Sequence, residues 1–126
     1  LSNFLLVAVG GSIGASIRYF FYLISKNFFS VNNLFINTLI INIIGSFIIG
    51  YLIVLLENKS FSQDFIKYFF IIGILGSFTT FSAFSLETVD LLVNKRFLIA
   101  FFYVFLSLSL CILFTFLGLN LNKLIN

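Results

Sequence analysis

The chain has 126 residues, 61% of them hydrophobic and 9% charged, with a formal net charge of +3 and a mean hydropathy of +1.20. A soluble domain carries about 25% charged residues, and no soluble fold of this size has interior enough for so much apolar surface, so the solvent is lipid. With no histidine and a single cysteine, Cys111, the chain lacks an intrachain disulfide, a conventional transition-metal site and a nucleophile–base pair for an enzyme, and its few dispersed cations form no nucleic-acid surface.

Four apolar blocks follow one another, each long enough to cross a bilayer as a helix of about 20 residues. None alternates with the period of two that a membrane barrel strand needs. The first block covers about residues 3–24. It is not read as a cleavable signal peptide, because it carries Arg18 and has no basic head before its apolar part. Gly10, Gly14 and Arg18 lie four apart and share one helix face. Arg18 sits near a membrane edge, where it either snorkels to headgroups or attracts anions into an aqueous vestibule.

The loop SKNFFSVNN leads into the second block, about residues 34–56, where Thr38, Asn42, Ser46 and Gly50 form a second i, i+4 stripe. Small residues on such a stripe let membrane helices approach closely, and the glycines are read that way. Asn42 is different. Its amide offers two N–H donors and is costly at mid-membrane depth if unpaired, so packing and function both remain open for it. The fourth block, about residues 97–119, repeats the pattern with Tyr103, Ser107, Cys111 and Thr115, and the tail NLNKLIN is polar again.

Loop charges normally set orientation. Here Lys59, Lys67 and Lys123 fall on one side and Lys26, Lys95 and Arg96 on the other. A dual-topology protein that inserts both ways and pairs antiparallel has this balance; so does a chain oriented by a local cue.

The third block, about residues 65–93, contains the stretch GILGSFTTFSAFSLE (73–87), in which Gly73, Gly76, Ser77, Thr79, Thr80, Ser82 and Ser85 crowd together. A regular helix gains nothing from that density, whereas an unwound one exposes carbonyls and amides to an ion. The stretch therefore predicts a break near residues 76–80, tolerated at membrane depth only inside protein or beside water. Phe81 and Phe84, three apart, point the same way from the start of the second half-helix. Their ring edges carry partial positive charge, although two phenylalanines at a helix start also serve as plain core.

GILGSFTTFSAFSLE closely resembles the signature of the small fluoride channels of the Fluc, or CrcB-type, family. GGSIGASIRY (10–19) resembles that family's first helix and NTLIINIIGSFIIG (37–50) its second, in the right order. The resemblance implies an all-α membrane protein of the bacterial plasma membrane, with four transmembrane helices per subunit and the third broken mid-membrane. It implies a dual-topology antiparallel homodimer with two pores, through which fluoride leaves the cytoplasm passively. It also implies a structural Na⁺ at the dimer axis, held by the backbone carbonyls of Gly76 and Thr79. Phe81, Phe84 and Asn42 fall on pore-lining positions and Arg18 on a vestibule arginine. Thr80, Ser82 and Ser85 resemble a polar track, which Thr38, Tyr103 and Ser107 extend. Glu87 matches the acidic residue after the signature. Three departures stand out: Ser77 where many members have a second glycine, Ala83 in place of a common threonine, and Cys111 where a serine is expected.

The implied chemistry is coherent. Fluoride is small and strongly hydrated, so a narrow path must replace its water with N–H, O–H and ring-edge contacts, and must do so without a fixed cation that would hold it too tightly. Carbonyl oxygens suit a hard cation such as Na⁺. Two rivals fit less well. A proton-coupled drug exporter wants a carboxylate deep in the membrane, but the acids are Glu57, Asp64, Glu87 and Asp90, none of them in the first helix. A purely structural membrane subunit leaves the hydroxyls of 73–85 unexplained.

Overall fold

The computed structural model describes residues 2–58 and 62–125, the side chain of residue 122 excepted. Helix α1 (Ser2–Ser25) is followed by a single 3₁₀ turn (Val31–Asn33) and by α2 (Phe35–Glu57). The third span begins as a π-helical stretch (Phe65–Leu75), passes through one α-helical turn, α3 (Gly76–Phe78), and resumes as α4 (Phe81–Val93). Helix α5 (Phe97–Ile125) closes the chain. The described residues are helical without strands, and four runs are long and apolar enough to cross a membrane: Ser2–Ser25, Val31–Glu57, Phe65–Val93 and Phe97–Ile125. Lys59, one of the charges weighed for orientation, lies outside the described residues.

The helices pack as two couples, α1 against Phe65–Leu75 and α2 against α5. Small residues make both possible. A Cβ on Gly10 would meet the Phe69 carbonyl oxygen and lie 3.1 Å from Gly73 Cα, so that couple is close to backbone against backbone. Gly50 and Gly118 are closed in the same way, against the Thr115 and Phe47 carbonyls. The packing reading of the glycine stripes therefore describes them well. The outer surface is the reverse of a soluble one: Phe4, Phe20, Phe101 and Phe116 are all exposed, a surface that only lipid or another apolar protein covers.

Two turns come together at one end of the bundle. Helix α4 stops at a left-handed residue, Lys95 (φ 58°), and the Lys95 and Arg96 amides bond back to the Leu92 and Leu91 carbonyls, a Schellman closure. Arg96 then reaches across to the α1–α2 turn, with Nη1 donating to the Asn32 carbonyl (2.6 Å) and Nη2 to Asn33 Oδ1 (3.0 Å). The first and third connections thus share an end, as four alternating crossings require. Helix α5 runs past the end near 119 read from its apolar run. Its polar tail stays helical to Ile125, with Lys123 in the last turn, where a cation suits the C-terminal dipole.

Candidate functional site

The third span loses its helix at two threonines. Thr79 (φ −79°, ψ 155°) and Thr80 (φ −151°, ψ 119°) are extended, and α4 restarts at Phe81 with Thr80 as its N-cap, Oγ1 accepting from the Ala83 amide at 3.1 Å. An interruption in an apolar span needs partners for its backbone groups. Asn42 supplies them: its Oδ1 accepts from the Thr80 amide (2.9 Å) and its Nδ2 donates to the Thr80 carbonyl (3.1 Å). One side chain on α2 therefore satisfies both backbone groups of one residue of the break.

The latch has a consequence for two carbonyls. In a continuous α-helix the amide of Thr80 would bond the Gly76 carbonyl and the amide of Ala83 the Thr79 carbonyl. Here the first amide goes to Asn42 and the second to the Thr80 hydroxyl. The Gly76 and Thr79 carbonyls are thus left without the donors that a helix would give them. Thr79 turns its hydroxyl inward instead, donating to the Leu75 carbonyl at 2.8 Å, and its methyl fills the space above Gly45, where a Cβ would collide with it.

Beside the break lies a cavity of about 370 Å³, bounded by α2, the third span and α5. Asn42, Thr80, Phe84 and Ser107 line it, with Gly76, Thr79, Phe81 and Cys111. Ser107 is 6% exposed, and its Oγ is the one buried side-chain N or O atom among the described residues without a hydrogen-bond partner. The two phenylalanines touch, with centroids 5.3 Å apart. They differ in setting: Phe81 is 72% exposed and Phe84 8%, Phe84 lying against Tyr103 with centroids 5.2 Å apart.

A second cavity, of about 310 Å³, also reaches Thr80 and includes Arg18, Thr38, Ala83 and Glu87. Glu87 is its hub. Thr38 Oγ1 donates to Glu87 Oε1 at 2.7 Å, and Tyr103 Oη donates to Glu87 Oε2 at 2.6 Å. Three spans meet on one carboxylate, and Phe35 packs on the Tyr103 ring (5.1 Å between centroids).

Most of the residues picked out by sequence therefore converge on the Thr79–Thr80 break. Asn42, Thr80, Phe81, Phe84, Ser107, Gly76 and Thr79 border the first cavity, and Arg18 and Thr38 the second. Ser82, Ser85 and Tyr103 border neither. Ser82 Oγ lies 3.2 Å from Thr80 Oγ1, and Ser85 donates back to the Phe81 carbonyl at 3.0 Å. Tyr103 and Thr38 are engaged with Glu87. Ser77 donates to the Gly73 and Ile74 carbonyls (2.8 and 3.1 Å) and fills the space over Gly14. The role that sequence reasoning left unassigned is that of Glu87. Its signal was an acid two helical turns into an otherwise apolar segment, a position where a carboxylate needs specific partners.

Residues 5–119 match the family model described as CrcB-like protein, Camphor Resistance (CrcB). Among curated relatives, a protein of Campylobacter hominis named fluoride-specific ion channel FluC is 38% identical over 97% of this chain and 96% of its own length. A namesake from Shewanella baltica (strain OS155) is 42% identical over 96% of each chain. Another from Helicobacter pylori (strain P12) is 42% identical over 80% of this chain and 78% of its own length. These relatives are channels, not enzymes.

Proposed function

The chain belongs to the CrcB-like family, and from that premise we propose that it is a passive fluoride-selective channel of the bacterial plasma membrane that lets fluoride leave the cytoplasm. The observation that carries this is the Ser107 hydroxyl. A buried hydroxyl without a partner costs about 1–3 kcal/mol, and this one borders a cavity shared with Asn42, Thr80 and Phe84. An anion that passes through completes it.

Along that path the chain offers donors without a fixed cation. Asn42 has two amide protons, and the Thr80 carbonyl takes one of them; the other is free to meet fluoride. Ser107 donates an O–H, and Cys111, one turn along α5, a weaker S–H. The Phe81 and Phe84 edges add weak positive potential. Each contact is moderate, so the ion binds well enough to lose water and loosely enough to move on. Chloride is larger and meets the same narrow wall. Tyr103 and Thr38 give their hydroxyl protons to Glu87 and continue the polar line toward the turns without offering the ion a free O–H.

The functional unit in this reading is an antiparallel, dual-topology homodimer with two pores. The even division of loop charges favours it, as do an exposed Phe81 and an exposed Gly76 on one face of the break. The donor set at the break fits a hard cation: the Gly76 and Thr79 carbonyls lack their helical donors, and a second copy would add the same two. A Na⁺ bound there would pin two breaks together and add positive potential beside the anion path.

Fluoride efflux from liposomes bearing the purified protein, followed by a fluoride electrode with chloride as control, tests the reading. Fast fluoride release with negligible chloride release is the expected result; folded protein that passes no fluoride overturns it.

A further inference from the structure

The cation that sequence reasoning placed at a pore mouth is Arg18. A second one stands in a different relation to the polar line. Along α5 and the residue before it, Arg96, Ala100, Tyr103, Ser107 and Cys111 follow at spacings of four, three, four and four, which keeps them on one helix face. Arg96 is in register with the helix, since its carbonyl accepts from the Ala100 amide at 2.9 Å. The guanidinium lies over the Phe35 ring at 5.9 Å. Phe35 in turn packs on Tyr103, whose hydroxyl is bound to Glu87. Arg96 thus caps the outer end of the row that runs inward to the unpartnered Ser107.

Its charge is not neutralised by what holds it. Both acceptors, the Asn32 carbonyl and Asn33 Oδ1, are uncharged. Among the described residues no carboxylate pairs with it directly: Glu87 accepts from Thr38 and Tyr103, and Asp90 from Asn94 Nδ2 at 3.2 Å. The clamp therefore fixes a full positive charge at the junction of the two turns, beside a low-dielectric span. Such a charge raises the local concentration of anions.

We propose that Arg96 is an anion-collecting residue, concentrating fluoride beside the 31–33 and 94–96 turns, at the outer end of the helix face that carries Tyr103, Ser107 and Cys111. This rests on the fluoride-channel reading. A plain structural clamp would need the shape of arginine, whose planar fork makes two bonds that lysine does not reproduce. A collecting charge needs only the charge, and it is screened by salt.

The test is fluoride flux in liposomes at about 0.01 M and about 1 M of an impermeant salt, where the screening length falls from about 30 Å to about 3 Å. In the parent protein, flux at a fixed fluoride gradient is expected to fall as salt rises. At low salt Arg96→Gln is expected to conduct about two- to fivefold less than the parent. Arg96→Lys is expected to keep most of the parental flux, and at high salt the three proteins converge. A loss in Arg96→Gln that is the same at both salts and is not restored by Arg96→Lys overturns the proposal in favour of a clamp. So does parental flux indifferent to ionic strength, which needs no variant and decides the matter if Arg96→Gln does not fold. A parent that passes no fluoride at either salt removes the channel reading itself; a parent that conducts without salt dependence removes only the role of Arg96.

Discussion

Two clusters of hydroxyls on α5 and its neighbours meet opposite fates. At Tyr103 the hydroxyl has a carboxylate 2.6 Å away and shares it with Thr38. One turn further along the same helix, Ser107 is just as buried and has no acceptor. The first cluster carries its own anion. The second is a buried hydroxyl beside a cavity, with no partner of its own. The difference separates hydroxyls that tie three spans together from one that no described residue engages, although both look alike as a stripe in sequence.

The largest expected effect comes where the two kinds of role coincide. Asn42 both satisfies the backbone of the break and lines the cavity. In Asn42→Asp a carboxylate replaces the amide donors, repels fluoride and loses the bond to the Thr80 carbonyl. Fluoride flux is expected to drop about 100-fold or more, the scale on which loss of a single well-placed polar group acts. Liposome efflux of the folded variant at parental rate would show that Asn42 is only a latch.

Tyr103→Phe separates the clusters on the stability side. It removes a hydrogen bond to a charged group, a contact worth about 1.5–3 kcal/mol, and leaves Glu87 with Thr38 alone. The variant is expected to unfold more readily in mixed micelles by about that amount. An unchanged unfolding free energy would mean that the Tyr103–Glu87 bond contributes nothing to holding the spans together.

Ser107→Ala should do the reverse, lowering activity while leaving the fold as stable or more so. The orphan hydroxyl disappears, so unfolding free energy is expected to hold or to rise by about 1 kcal/mol. Fluoride flux is expected to fall about tenfold, equivalent to the loss of one moderate donor. A variant that loses both stability and flux would place Ser107 with Tyr103 among the structural groups and erase the contrast.

These fates also mark how far sequence carries. The four spans followed from run length and hydropathy, because lipid demands unbroken apolar helices. The residues around the break followed from the density of Gly, Ser and Thr at 73–85 and from the family's motifs. What a one-dimensional pattern does not contain is the pairing across spans. That Asn42 meets Thr80, 38 residues on, and that Thr38 and Tyr103 meet on Glu87, depends on how α2, α4 and α5 turn toward one another. Nor does the pattern tell where a hydroxyl turns: Ser85 belongs to the hydroxyl-rich signature, and its donor returns to the Phe81 carbonyl of its own helix.

The smallest expected effect tests whether the unspent wall of α5 is a path at all. Cys111 lies one turn beyond Ser107 and borders the same cavity. Thr115 bonds the Cys111 carbonyl at 2.9 Å, so the local backbone is tied down whatever side chain stands there. Cys111→Ser exchanges a weak S–H donor for a strong O–H in nearly the same volume. If fluoride passes along this wall, the exchange lowers the cost of dehydration at that step, and flux is expected to rise about twofold, since about 0.4 kcal/mol off a barrier has that effect. If the wall only packs, the serine finds no partner in the cavity, and the variant is expected to lose stability with no gain in flux. Efflux and unfolding measured on the same preparation separate the two, because the path reading moves the first quantity and the packing reading moves the second.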